Sequence, residues 1–318
     1  MSAPLLTVVI CTHNRVQLLA RAIASLNAAA RPDGDVQLLV VANNCGDGTH
    51  DYLAGYGRRP GESLPLRWLV ESRPGKAFAL NLALPEVKSA WVALVDDDQR
   101  ADTFFLQSIA DTASRSPDAD ILFGRIEPDW TGSEPDWVHD RGPYRIYPLP
   151  VPHIDLGDVE HWCDQGTAMP SGGNAVVKRG LIEKVGAFST QLGPVGHNLA
   201  GGEDTDWFLR ALRLGAKVRY VPAMIQYHYV DPARLSLGSL VRLAYARTAA
   251  NVSLIGDDAA GLGVPPWAYR KLLRYAAAAA TSLAADRRRH FIVRTAACLG
   301  EIAGYRRRAA LGRGESTA

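Results

Sequence analysis

The stretch Val92-Ala93-Leu94-Val95-Asp96-Asp97-Asp98 decides the fold. An apolar run with strand character delivers three carboxylates at its end. Adjacent acids repel one another and resist burial, so a positive partner is expected beside them. Clusters of oxygen ligands suit hard cations such as Mg2+, Ca2+ or Mn2+. Mg2+ in particular binds through one or two carboxylates plus substrate phosphates. In α/β proteins ligands lie at the carboxyl ends of strands. The run therefore reads as a metal–diphosphate site at a strand end. A solvated acidic turn would account for an isolated triplet, and it is the surrounding segments that favour the site.

Upstream, residues 5–11 read as a buried strand, followed by the polar turn Thr12-His13-Asn14-Arg15. Leu18, Leu19, Ala22, Ile23 and Leu26 then recur at helical spacing over 17–26. A second strand over 37–41 runs into Asn43-Asn44-Cys45-Gly46-Asp47-Gly48, a dense turn signal, and a short helix over 49–55. A third strand over 66–70 leads to a loop with Gly75 and Lys76 and a helix over 77–84. The fourth strand, 91–95, feeds the aspartates, and a helix over 104–113 and a strand over 121–126 follow. This alternation predicts an α/β fold with a Rossmann-like, mostly parallel sheet flanked by helices. The turns 12–15, 43–48 and 96–99 all follow strand ends, so they line one edge where a nucleotide can lie, with Asn14, Arg15 and Asp97 among them. Gly75-Lys76 lacks the earlier glycine of a Walker loop, but Lys76 can meet a phosphate as a point charge.

Downstream, 127–170 is rich in Pro, Trp, His and Asp with weak periodicity, and reads as irregular loops beside a site. A turn and strand over 171–177, a helix over 181–185, a helix to 214 and a strand over 218–221 ended by Pro222 follow. Glu203-Asp204-Thr205-Asp206 opens the longer helix. The macrodipole alone would explain acids there. The functional reading is a general base, a carboxylate that takes the proton of an acceptor hydroxyl. His228, between Tyr227 and Tyr229, reads as a packed residue or as an imidazole ligand complementing Asp98. The predicted organisation is one domain over 1–234, with a nucleotide-binding half (1–126) and an acceptor-binding half (127–234). A basic helical C-terminal extension over 235–318 ends in a fraying polar tail.

Hydrophobic content of 47% and charged content of 21% fit a folded globular chain. Residues 265–318 hold eleven Lys/Arg and three Asp/Glu, a net +8, while the chain as a whole carries +2. An acidic body with a basic helical tail suits an anionic membrane surface, and a solvated helix face is the equal alternative. No nucleic-acid-binding motif occurs, so no nucleic-acid partner is expected. Cys11, Cys45, Cys163 and Cys298 show neither paired nor metal-ligand spacing, which predicts reduced thiols. Without a signal pattern or an apolar run of about 18 residues, the expectation is a cytoplasmic protein, with any membrane contact peripheral and at the inner face.

Taken in order, these segments resemble the family-2 glycosyltransferases, inverting enzymes of the GT-A fold. The resemblance spans about residues 5–230. It rests on Val8-Val9-Ile10-Cys11-Thr12-His13-Asn14-Arg15, Val40-Val41-Ala42-Asn43-Asn44-Cys45-Gly46-Asp47, Gly75-Lys76-Ala77-Phe78 and Asp96-Asp97-Asp98. Ser171-Gly172-Gly173-Asn174, Gly202-Glu203-Asp204-Thr205-Asp206-Trp207 and the late His228 complete it. It implies that Thr12, Asn43, Asp47 and Asp96 contact the nucleotide and that Asp98 coordinates Mg2+ or Mn2+. Asp204 would be the base, with Glu203 orienting it or binding the acceptor. Gly172, Gly173, Asn174, Asp206 and Trp207 would face the acceptor. Many members carry an Asp where this chain has Ala42, which leaves the base open among UDP, GDP and dTDP, with UDP the first expectation. The implied activity is sugar transfer from a nucleotide-diphosphate sugar to a glycan or lipid-linked hydroxyl in polysaccharide or glycolipid synthesis. A sugar-phosphate nucleotidyltransferase and a non-catalytic sugar-nucleotide-binding scaffold are the alternatives.

Overall fold

A strand buried on both faces must be apolar along its whole length, and the N-terminal half of the chain supplies four that are mostly so. A computed structural model gives the conformation of residues 4–56, 63–147, 149–163, 170–191, 202–255 and 263–312. Gly201 and the tail 313–318 lie outside them. The chain opens with β1 (Leu6–Thr12), α1 (Val16–Ala28), β2 (Val36–Asn43), α2 (Thr49–Tyr56), β3 (Leu66–Glu71), α3 (Lys76–Ala83) and β4 (Trp91–Asp96). A three-residue β5 (Gln99–Ala101), α4 (Phe105–Arg115) and β6 (Ile121–Asp129) follow. Next come β7 (His161–Cys163), β8 (Asn174–Lys178), α5 (Arg179–Val185), α6 (Glu203–Arg213) and β9 (Val218–Tyr229). The C-terminal helices are α7 (Leu237–Ile255), α8 (Pro266–Thr281) and α9 (Ala285–Gly312).

The strands form one sheet in the order β3-β2-β1-β4-β8-β6-β9-β5, with β7 paired to β9. The first four run parallel, and β8 runs antiparallel between β4 and β6. Helix α1 buries Leu19, Ala22, Ile23 and Leu26 against this sheet, the stripe its spacing predicts. Helices α3 and α6 contribute to a second apolar cluster, the latter through Trp207, Phe208 and Ala211.

Two expectations change. Pro222 does not end its strand, for β9 continues to Tyr229. The β6–β9 register slips between Phe123–Tyr220 and Arg125–Ile225, so the extra residues, Pro222 among them, bulge out of the ladder. Gly124 makes this possible, since a Cβ there would lie 1.9 Å from the Met224 carbonyl oxygen. The segment 127–170 is also less irregular than its composition suggests. Strand β6 runs on to Asp129, a 3-10 turn covers Asp136–His139, and β7 adds an edge. Strands of three residues are too short to show a periodicity.

The chain groups into two compact units, 1–129 with 152–229, and 130–151 with 230–318. The second unit combines the three C-terminal helices with residues 130–151, around a small core of Val138, Val151, Val230 and Leu235. Within it α9 crosses close to α7 at Gly300 and Gly304, where a Cβ would lie 2.2 Å from the Tyr245 oxygen and 2.8 Å from the Ala249 oxygen. None of the described helices is long and apolar enough to cross a membrane.

Candidate active site

Strand register assembles the site. Parallel pairing sets Cys11 opposite Asp96 and Thr12 opposite Ala42, so the strand-end turns share one edge of the sheet. Antiparallel β8 sets Asn174 opposite Val95, which brings the turn before it to the aspartates. Pairing of Gln99 with His228 brings the imidazole beside Asp98.

Each aspartate of the triplet has a positive or donating partner, and Asp97 and Asp98 share Arg15. Lys76, the first residue of α3, pairs with Asp96. Burial would raise the Asp96 pKa, but the ammonium outweighs it and holds the carboxyl below its ordinary value. Asp97 is buried and accepts from the Thr12 hydroxyl at 2.7 Å and from Arg15 at 3.1 Å. Burial and the neighbouring Asp98 charge push it up to about 6, against the pull of Arg15 and Thr12. Asp98 accepts from Arg15 at 3.0 Å and lies 3.4 Å from His228 Nε2.

The last pair bears on a metal. His228 Nδ1 lies 2.8 Å from the Tyr229 carbonyl, which only accepts, so Nδ1 carries a hydrogen and donates it. In the neutral ring Nε2 then aims a lone pair at a carboxylate oxygen. Two acceptors facing each other call for a cation between them, a proton or a metal ion. No cluster of three or more His, Cys, Asp or Glu ligands occurs among the described residues. A pair of protein ligands fits an ion whose remaining positions are filled by substrate phosphates and water.

The second acidic cluster begins α6, where Gly202 adopts φ 117°, a backbone state open to glycine. Asp204 Oδ2 accepts from the Gly172 N–H at 3.0 Å, and Oδ1 accepts from the Thr205 N–H at 2.8 Å. The next residue, Gly173, touches the first cluster, since a Cβ there would lie 2.6 Å from Asp96 Oδ2 and 2.5 Å from Gln99 Nε2. The two-glycine turn thus has Asp204 on one side and Asp96 on the other. Lys76 belongs to both clusters. Burial opposes its charge, but Asp96, Asp204 and Glu203 together raise its pKa. Glu203 is 3% exposed, and its Oε2 has no hydrogen-bond partner among the described residues. Burial and the charges of Asp204 and Asp96 raise its pKa against the pull of Lys76.

Several residues that the resemblance places at the ligand have other work. The Asn43 side chain, 4% exposed, donates to the Glu71 and Arg73 carbonyls and accepts from the Gly75 N–H, so it fixes the loop that carries Lys76. Asp47 accepts from the backbone of Val16 and of Thr49, capping the starts of α1 and α2. Asn14, at φ 52°, accepts from the Gly46 N–H and ties two strand-end turns together. Asn174 is 1% exposed and donates to the Arg125 and Met224 carbonyls, so it braces the β6–β9 bulge. Trp207 is 1% exposed, stacks on Phe188 and donates to the Gly186 carbonyl, which places it in the core beneath α6. Asp206 pairs with Arg210, whose other nitrogens donate to the Val185 and Ala187 carbonyls. Gln99, which no motif marks, accepts from the Asp96 N–H and fills the space beside Gly173. Its position directly after the triplet is the one signal that points to it.

A parallel half-sheet that gathers acidic strand ends, facing an acid-tipped helix across a glycine turn, defines the GT-A class of glycosyltransferases. The pattern of Glycosyl transferase family 2 matches residues 7–186, more than half of the chain, and the chain belongs to that family. It is 23% identical over 254 residues to the succinoglycan biosynthesis protein ExoM of Rhizobium meliloti (strain 1021), covering 80% of this chain and 76% of the relative. Over 105 residues it is 30% identical to the glucosyl-dolichyl phosphate glucuronosyltransferase of Haloferax volcanii, covering 33% of this chain and 31% of that protein. The mannosyltransferase PcManGT of Pyrobaculum calidifontis, solved with GDP-Man and Mn2+, shares the fold with a TM-score of 0.56 at 20% identity, over 98% of this chain and 87% of the other. S. aureus TarS 1–349, solved with UDP-GlcNAc, does so with a TM-score of 0.54 at 15% identity, over 98% and 93%.

Proposed function

We propose that this glycosyltransferase moves a sugar from a nucleotide-diphosphate donor to an acceptor hydroxyl with inversion, in a divalent-metal-dependent reaction that serves polysaccharide or glycolipid synthesis. The observation that carries the reading is the Gly172–Gly173 turn, with Asp204 at 3.0 Å from one glycine N–H and Asp96 against the other glycine. On this reading the turn separates a donor side from a base side.

On the donor side, Asp98 and His228 would hold Mg2+ or Mn2+, which when bound neutralises charge on the leaving diphosphate. Thr12 and Arg15 fix Asp97, and Lys76 fixes Asp96, so the carboxylates that meet the nucleotide and its ion are preorganised. Release of Arg15 from Asp98 would free that carboxylate for the ion. On the base side, Asp204 sits in the first turn of α6 and accepts two backbone N–H groups, which fix where its carboxylate points. Asp204 takes the acceptor proton as the hydroxyl attacks the anomeric carbon opposite the leaving group, and one displacement inverts the centre. Glu203, buried beside Asp204 with one oxygen unpartnered among the described residues, orients the base or an acceptor hydroxyl. UDP is the first donor to try; the solved relatives hold a GDP-sugar in one case and a UDP-sugar in another. The acceptor reading is a glycan or a lipid-linked glycan, and one curated relative is named for a dolichyl phosphate substrate. The basic C-terminal helices would bring the enzyme to an anionic membrane surface.

The test is transfer from a panel of UDP-, GDP- and dTDP-sugars before and after removal of metal with EDTA. The reading expects turnover to stop with EDTA and to return with Mn2+ or Mg2+. Full turnover in EDTA would remove the metal role of Asp98 and His228.

A further inference from the structure

The second unit holds a groove of about 490 Å³, bordered by Tyr245 of α7, Tyr269 of α8, and Leu299, Ile302, Arg306 and Arg307 of α9. Its volume falls in the range of small-molecule sites, about 300–1,000 Å³. Its chemistry is divided between an apolar wall and a cationic end. Tyr245, Tyr269 and Leu299 stay 39–46% exposed in the groove, so the walls are apolar surface left open to water. Arg306 reaches only the Tyr269 hydroxyl, at 3.5 Å, and among the described residues neither Arg306 nor Arg307 meets a carboxylate. Two guanidiniums at one end of an apolar trough complement a ligand with an anionic head and a hydrocarbon tail.

The surroundings favour a lipid over a second protein surface. Trp267 (43% exposed), Leu273 (69%) and Leu283 (100%) project from or beside α8, while 265–318 carries a net +8. Exposed aromatic and aliphatic side chains on a basic helix are the composition of an interfacial helix. A second copy of this segment would bring another +8 against the first. We propose that the α7–α8–α9 groove binds a single phosphorylated lipid, its hydrocarbon chain between Tyr245, Tyr269 and Leu299 and its phosphate on Arg306 and Arg307. The proposal rests on the membrane reading and deepens it from attraction to a charged surface into a site for one lipid molecule.

The full-length protein is titrated calorimetrically with farnesyl phosphate below its micellar concentration, and with inorganic phosphate and farnesol as head-only and tail-only controls. The expected result is saturable one-to-one binding of farnesyl phosphate, tighter than either control. Leu299→Asn and the double variant Arg306→Gln/Arg307→Gln should each weaken it about tenfold, or ~1.4 kcal/mol. Circular dichroism melts check that both variants, which alter exposed positions, stay folded. Farnesyl phosphate binding no tighter than the controls, or unchanged in both variants, overturns the proposal. So does a dimer that Leu299→Asn dissociates and farnesyl phosphate does not. Flotation with anionic vesicles separates the two readings. If the protein floats but ignores farnesyl phosphate, the groove fails and the surface reading stands; if it does neither, both fail.

Discussion

Lys76 carries the balance of charge in the cleft. It is the cation that Asp96, Glu203 and Asp204 share, and it is 22% exposed. Lys76→Met leaves three acids facing one another. The expected loss lies between that of an exposed and a fully buried pair, about 1–3 kcal/mol, read as a lower urea midpoint at neutral pH. An unchanged midpoint would mean that solvent already screens the cluster. Asp47 offers a pH test away from the triplet. Burial opposes its ionisation, but the Thr49 hydroxyl and the Val16 and Thr49 N–H groups hold its pKa below 3.8. Its capping contribution is therefore complete above that value and is lost as pH falls through the lower folded-state value. Asp47→Ala should cost about 1–2 kcal/mol near pH 7. The gap between variant and wild type should close in acid, and a gap that persists there would contradict the capping account.

At the scale of elements, the fold was legible where a single strand or helix carries its own signal. The apolar runs that become β1, β2 and β4 are visible in the sequence because a strand buried on both faces needs no alternation. The stripe of α1 is visible because one helix face meets the sheet. What stayed hidden depends on partners far along the chain. Strand β9 passes Pro222 only because β6 has a glycine opposite Met224, and β5 and β7 exist only as partners of β9. The same limit applies to the site. Acidic residues at strand and helix ends stand out by type and position. By contrast, the burial of Asn43, Asn174 and Trp207 follows from tertiary contacts that no local pattern encodes. Gly124→Ala tests the crossing directly. A Cβ 1.9 Å from a backbone oxygen cannot be absorbed by a side-chain rotation, so at least about 1–3 kcal/mol of destabilisation is expected in thermal melts. Gly173→Ala should cost less in the melt, since its neighbours are the side-chain ends of Gln99 and Asp96 and not backbone, but should suppress transfer by displacing Asp96.

At the scale of the whole molecule, the acidic clusters and the basic helices fall to different units. The sheet unit holds both acidic clusters, and the helical unit holds the basic, partly apolar surface. Gly300→Leu, which drives a side chain into the Tyr245 backbone, should speed hydrogen exchange first over 237–255 and 285–312. The claim on which the rest depends is that Asp204 and the aspartates of β4 serve one sugar nucleotide from two sides. It is tested most directly by measuring nucleotide affinity and transfer rate side by side for Asp204→Asn. The account predicts unchanged affinity with transfer slowed by about 10²–10⁴-fold. Transfer at the wild-type rate, or a variant that loses nucleotide binding along with turnover, would contradict it.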